Sequence, residues 1–141
     1  MKYIAYTDGG ARGNPGPAGA GTVIADESGK EISRAKRFLG NTTNNEAEYR
    51  AVLLAISELK KIIPKNERKN ADIEIRMDSE LVQKQLTGKY RIKEEHLFPL
   101  FIGVWNERVA EFPHMRFTHV PREENREADA LANEAMDEGR D

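Results

Sequence analysis

The chain contains no cysteine, which excludes disulfide staples and thiolate metal centres. Any bound metal ion would have to be held by carboxylates, carbonyls or the three histidines. Such a composition is compatible with a reducing compartment, and a cytoplasmic location is expected. No apolar run approaches the ~20 residues that a membrane helix needs. The opening segment, Met1 to Asp8, also lacks the apolar stretch of a signal peptide. Neither sign of charge dominates: 22 Lys and Arg against 24 Asp and Glu leave a net charge of −2. That balance argues against a protein that coats its partner by charge alone.

What is present suits one compact domain, residues 1–141, with 38% hydrophobic and 33% charged residues. A chain of this length can bury roughly two-thirds of its unfolded surface. Basic residues do cluster locally. Lys60, Lys61, Lys65, Arg68 and Lys69 read as solvated side chains at a helix end. Lys84, Lys89, Arg91 and Lys93 form a second group that could be either solvated surface or a contact for an anionic partner.

Lys2 to Thr7 reads as a first strand ending at Asp8, followed by a turn rich in glycine and proline from Gly9 to Pro17. Ala20 to Ala25 and Glu31 to Phe38 read as two more strands, joined as a hairpin at Asp26-Glu27-Ser28-Gly29. Thr43-Asn44-Asn45-Glu46 has the form of a capping box, opening a helix over Ala47 to Ile63 that Pro64 stops. A fourth strand is expected over Ala71 to Met77, and a short helix over Ser79 to Leu86. His96 to Val109 should form a longer helix, with Leu97, Leu100, Phe101, Val104 and Trp105 on its apolar side. A last strand over Met115 to Val120 precedes a helix capped by Asn125. The order βββαβααβα implies an α/β fold: a five-stranded mixed sheet, three strands antiparallel and two parallel, flanked by helices.

Four acids stand out by position. Asp8 and Asp78 end strands, where such sites gather in mixed sheets; Asp78 could equally cap the helix that follows. Glu48 shares a helical stripe with Val52, Ala55 and Leu59, the side expected to face the sheet, where an unpaired carboxylate is costly. Glu46, two residues earlier, is explained by the capping box. Asp129 lies one turn into the last helix, where an acid also complements the helix dipole. If the four converge, neighbours ~4 Å apart repel by about 4 kcal/mol per pair, so the cluster must take up protons or cations. With oxygen ligands only, Mg²⁺ is the natural guest, Mn²⁺ a substitute. Two ions would form a clamp for in-line phosphoryl displacement.

These segments resemble the type 1 ribonuclease H family. Tyr6-Thr7-Asp8-Gly9-Gly10 through Gly13-Asn14-Pro15-Gly16 is similar to that family's first-strand signature. Thr42-Thr43-Asn44-Asn45-Glu46-Ala47-Glu48 matches its helix-opening motif and selects Glu48 over Glu46. Met77-Asp78-Ser79 and Asn125-Arg126-Glu127-Ala128-Asp129-Ala130-Leu131-Ala132 match the third and fourth acids. The resemblance implies a ribonuclease H-like fold and cleavage of the RNA strand of RNA–DNA hybrids. It also implies catalysis with two metal ions, one activating a water and one stabilising the leaving 3′ oxygen, with 5′-phosphate and 3′-hydroxyl products. Asp8, Glu48, Asp78 and Asp129 would be both catalytic and metal-binding. Substrate contacts would fall to Gly9, Gly10, Ala11, Asn14, Thr43, Asn44, Asn45 and Ser79, the asparagines reading minor-groove edges and 2′-hydroxyls.

Two departures from the family pattern stand out. The loop Val120-Pro121-Arg122-Glu123-Glu124 is short and lacks the family's product-release histidine; His119 reads as a strand residue, and Arg122 is the candidate to take over a charge role there. The long basic protrusion is reduced to Thr87 through Lys93, a pattern that resembles prokaryotic members, some of which also cleave double-stranded RNA. Trp105, the one tryptophan, is read as core and not as a base-stacking platform. Double-stranded RNA cleavage and a non-catalytic hybrid-binding module are the alternative functions, and a monomer is expected.

Overall fold

The computed structural model describes residues 1–139; the last two residues of the expected domain lie outside that description. Five strands form one mixed sheet: β1 (Lys2–Ala11), β2 (Gly16–Asp26), β3 (Glu31–Thr42), β4 (Asp72–Met77) and β5 (Met115–His119), in the order β3-β2-β1-β4-β5. β1 to β3 are antiparallel, while β4 runs parallel to β1 and β5 parallel to β4. Four α-helices flank the sheet: α1 (Asn44–Ile62), α2 (Glu80–Leu86), α3 (Phe98–Ala110) and α4 (Arg126–Glu138). The expected architecture is the observed one.

Element ends moved where tertiary pairing extended a local signal. β1 does not stop at Asp8 but continues to Ala11, because β2 also runs longer and pairs Asp8 with Gly21 and Ala11 with Ala18. The apolar pattern ends at Asp8, but the hydrogen-bond ladder does not. His96 does not open α3; a single 3-10 turn over Glu95–Leu97 precedes it, with proline in the helix's first turn, where its missing N–H is harmless.

The main core lies between the sheet and α1, where Ala5, Ile73 and Ile75 meet Tyr49, Val52, Ile56 and Leu59, closed by Leu97, Val104 and Phe112. α4 covers the opposite face and comes unusually close. A Cβ on Gly21 would lie 2.5 Å from the Ala128 carbonyl oxygen, so only glycine lets the helix backbone rest on β2 there. Ala20, pointing the other way, packs with Ala51 and Leu54. Close approach on both faces brings the first turns of α1 and α4 to the same end of β1. Among the described residues no helix is long and apolar enough to cross a membrane.

Candidate active site

The site grows out of a mismatch in strand length. β4 pairs with β1 only from Lys2 to Thr7, so the backbone of β1 beyond Thr7 has no strand neighbour on that edge. Those N–H groups need acceptors, and α1 supplies them. The Gly9 N–H donates to Glu48 Oε1 at 2.6 Å, and the Ala11 N–H donates to Asn44 Oδ1 at 2.8 Å. Gly9 also permits the approach, since a Cβ there would meet the Ala47 carbonyl oxygen at 2.1 Å. Glu48 is thus locked to the strand that carries Asp8.

Asp78 follows the last residue of β4 and completes the cluster. Asp8, Glu48 and Asp78 each place a carboxylate oxygen within 4.8 Å of the others. Asp129, from the first turn of α4, stands outside that triplet and lines the same cleft. The four acids from four segments converge at one end of the sheet, at the floor of a cleft of about 440 Å³. Asp78 does not cap α2; Ser79 does, its Oγ accepting from the Val82 N–H at 3.2 Å.

Electrostatics in the cluster follow from burial and repulsion. Burial raises the Asp8 carboxyl pKa far above the carboxylate range, and the charges of Glu48 and Asp78 raise it further. Glu48 is raised too, chiefly by burial and then by Asp78, against the pull of the Gly9 N–H and Arg122. A site that holds protons so tightly offers the same stabilisation to a divalent cation, and its donors are all hard oxygens. The residues therefore fit a divalent metal ion.

The amides expected to bind substrate lie on the rim. Thr43, and neither asparagine, caps α1, accepting from the Glu46 N–H at 3.2 Å. Only this half of the capping box forms as expected: the Glu46 carboxylate pairs with Arg50 at 3.0 Å. Asn14 Oδ1 accepts from the Asn44 N–H at 3.0 Å, tying the glycine-rich turn to the helix start. Asn44, Asn45, Gly10, Ser79 and Arg122 all line the cleft, whereas Asn14 and Thr43 stand just outside it. The N–H groups of Gly9 and Ala11 are engaged within the protein, so these two residues position Glu48 and Asn44. His119 ends β5 and is exposed.

Several contributors were not visible in the sequence. Asn125 stands at the start of α4 but makes no capping bond. Its buried amide donates instead to the Thr7 carbonyl at 2.8 Å, anchoring α4 beside Asp8 across 118 positions of chain. Glu94 accepts from the Asn45 amide at 2.9 Å, and His96 Nε2 lies 3.4 Å from Thr43 Oγ1. Asn133, one turn after Asp129, lines the cleft and donates to the Asp129 carbonyl at 3.0 Å. Only Asn133 carried a signal, its i+4 spacing from an acid.

A mixed sheet in this strand order, with carboxylates from β1, α1, the end of β4 and α4 at one end, defines a ribonuclease H-like fold. A family model described as reverse transcriptase-like matches residues 6–135. The solved structure of LC11-RNase H1, isolated from compost by a metagenomic approach, matches with a TM-score of 0.91 and 44% identity over 97% of this chain and 96% of that one. The same protein in complex with RNA/DNA hybrid matches with a TM-score of 0.92 and 43% identity over 96% of this chain and 97% of that one. A ribonuclease HI of Halobacterium salinarum is 40% identical over 95% of this chain and 64% of its own length. A bifunctional protein of Mycobacterium tuberculosis is 37% identical over 97% of this chain, which spans 36% of that relative. The chain belongs to the type 1 ribonuclease H family.

Proposed function

We propose that this chain is an endonuclease that hydrolyses the RNA strand of RNA–DNA hybrids. The observation that carries this reading is the convergence of Asp8, Glu48 and Asp78 within 4.8 Å, with Asp129 lining the same cleft. Asp8, Glu48, Asp78 and Asp129 would hold divalent cations, Mg²⁺ by preference and Mn²⁺ as a substitute, two of them during catalysis. Such ions supply an activated water and neutralise charge on the phosphoryl and leaving oxygens. The water oxygen joins phosphorus, the P–O3′ bond breaks, and the 3′ oxygen leaves with a proton, giving 5′-phosphate and 3′-hydroxyl ends.

The chain's own residues orient that step. Glu48 is held by the Gly9 N–H and cannot swing away from Asp8. Asn44 gives its carbonyl to Ala11 and keeps its NH₂ for the cleft, while Asn45 gives its NH₂ to Glu94 and keeps its carbonyl. A donor and an acceptor side by side suit a 2′-hydroxyl, which is both. Thr43 and Asn14 would contact the DNA strand and the groove edge. Arg122, exposed in the lining of the cleft, would attract the departing phosphate. Lys84, Lys89, Arg91 and Lys93 have no ion-pair partner among the described residues and are available to phosphates, whereas Lys60, Lys61 and Arg68 are paired with Glu107, Glu58 and Glu111.

The test is cleavage of matched, end-labelled hybrid, RNA duplex and DNA duplex with Mg²⁺, for the wild type and Asp78→Asn. The hybrid's RNA strand should be cut and the DNA duplex spared. Faster cutting of the RNA duplex would favour double-stranded RNA as the main substrate. Tight, metal-independent hybrid binding without cleavage would mean a binding module, and wild-type activity in Asp78→Asn would sink the assignment.

A further inference from the structure

The cleft is lined by four carboxylates and by two cations, Arg12 and Arg122. A nucleic-acid strand that brings its phosphates over four acids needs positive charge close by. Arg122 stands in the loop before α4, ahead of Asp129 in the chain. Arg12 reaches the other side of Asp129. Its backbone is fixed where β1 ends, since the Arg12 N–H donates to the Pro17 carbonyl at 2.8 Å and closes the glycine-rich turn. Its side chain crosses from that turn to α4. There Nη2 donates to the Asn133 carbonyl at 3.4 Å and to Asn133 Oδ1 at 3.3 Å, and it pairs with Asp137 Oδ1 at 2.7 Å. All of these contacts use one nitrogen of the guanidinium.

We propose, resting on the reading that the chain cuts RNA–DNA hybrids, that Arg12 is a substrate-positioning residue. Its guanidinium takes the RNA phosphate next to the scissile one, and Asp137 holds the side chain in place until substrate arrives. The placement follows from α4. Asn133 lies one helical turn beyond Asp129, ~5.4 Å along the helix, close to the separation of successive phosphates in one strand. A phosphate centred over the acids therefore puts its neighbour in the same strand within reach of a group resting on Asn133. The chemistry fits as well. Nε and Nη1 make no bond among the described residues. Once Asp137 is displaced, Nη2 joins one of them in the two-pronged bond that a guanidinium makes to phosphate. Asp137 gives way readily, because the Arg12 and Asp137 side chains are 47% and 66% exposed and an ion pair so open to water is weak. Asn133, half-buried, keeps the arginine beside the cleft meanwhile.

Arg12→Ala should raise KM for hybrid about tenfold and leave kcat and the melting temperature unchanged, the mark of a contact made equally in ground and transition states. Arg12→Lys, which keeps the charge and loses the fork, should fall between the two. Asp137→Asn, which frees Arg12, should lower KM by about twofold to threefold. With cleavage blocked by Asp78→Asn, adding Arg12→Ala should make the log–log salt dependence of hybrid binding shallower by about one. The most direct measurement neutralises single phosphates of the RNA strand. A methylphosphonate beside a deoxy sugar, next to the scissile position, should raise the wild-type KM about tenfold over the deoxy sugar alone and leave Arg12→Ala unaffected. A wild-type KM and salt slope in Arg12→Ala overturns the proposal. So does a KM that Arg12→Ala raises to the same extent on every neutralised substrate, which would make the contact with α4 a structural tie alone. A wild type that cuts no hybrid refutes the cleavage reading instead, and the salt slope of binding then decides the role of Arg12 by itself.

Discussion

The cleft and the outer face of α3 depart from ordinary protein surface in opposite directions. In the cleft, charge sits where apolar atoms are expected; on α3, apolar atoms sit in water. Each is unfavourable in isolation, and the first has a natural remedy in a divalent cation. The cleft is rigid, held by Gly9, Asn44 and Asn125 through bonds that span distant parts of the chain. The α3 face is the outer side of a helix whose inner side, with Leu100 and Val104, packs on the core. A catalytic site needs its groups fixed in advance, whereas the outer side of a helix carries no such demand.

The contrast can be broken most strongly at Asp78. Asp78→Asn should lower single-turnover hybrid cleavage by about 10³-fold, the equivalent of some 4 kcal/mol. Thermal unfolding of that variant should not fall, since a repulsive charge is removed. Gly9→Ala comes next: the new methyl meets backbone at 2.1 Å and must push α1 off β1. We expect a loss of about 1–3 kcal/mol in urea unfolding, together with loss of cleavage as Glu48 is displaced. Asn125→Ala should lose about 1–3 kcal/mol by leaving the buried Thr7 carbonyl unpaired.

Titration sharpens the comparison further. Asp8 and Glu48 bind protons more tightly folded than unfolded, so the stability they contribute is complete below about pH 4, the unfolded value. It is lost progressively as pH rises toward their raised folded values. The melting temperature of metal-free protein should therefore fall from acid through neutral pH. Mg²⁺ should flatten that slope, and so should Asp8→Asn; a slope unaffected by either would show that other groups control it. The smallest effect belongs to α3. Trp105→Ala should change stability by less than about 1 kcal/mol, against about 3–5 kcal/mol for Phe112→Ala in the core.

Much of this was legible before any coordinates. The hairpin at Asp26–Gly29, the cap at Thr43 and the stop at Pro64 are local signals, and each marks an element end to within a few residues. Glu48 stood out because a carboxylate interrupts an apolar stripe, a pattern that periodicity alone exposes. Trp105 shows the limit of the same method. Its stripe is real, but periodicity states that a helix has an apolar side without stating what covers it. Here α3 has two apolar sides, with Leu100 and Val104 turned inward and Ile102 and Trp105 outward. Asn125 was read as a cap because its position fits one, yet its amide found the Thr7 carbonyl.

The sequence by itself determined the order of elements, the class of sheet and the identity of the four acids, because these follow from local periodicity, turn chemistry and motif. Only the tertiary structure decided how the acids meet. β4 stops at Met77 while β1 runs on to Ala11, and the edge left open is filled by side chains of α1. That difference of a few residues in strand length creates the cleft. Strand length is settled by pairing with neighbours far away in the chain, which no local pattern records.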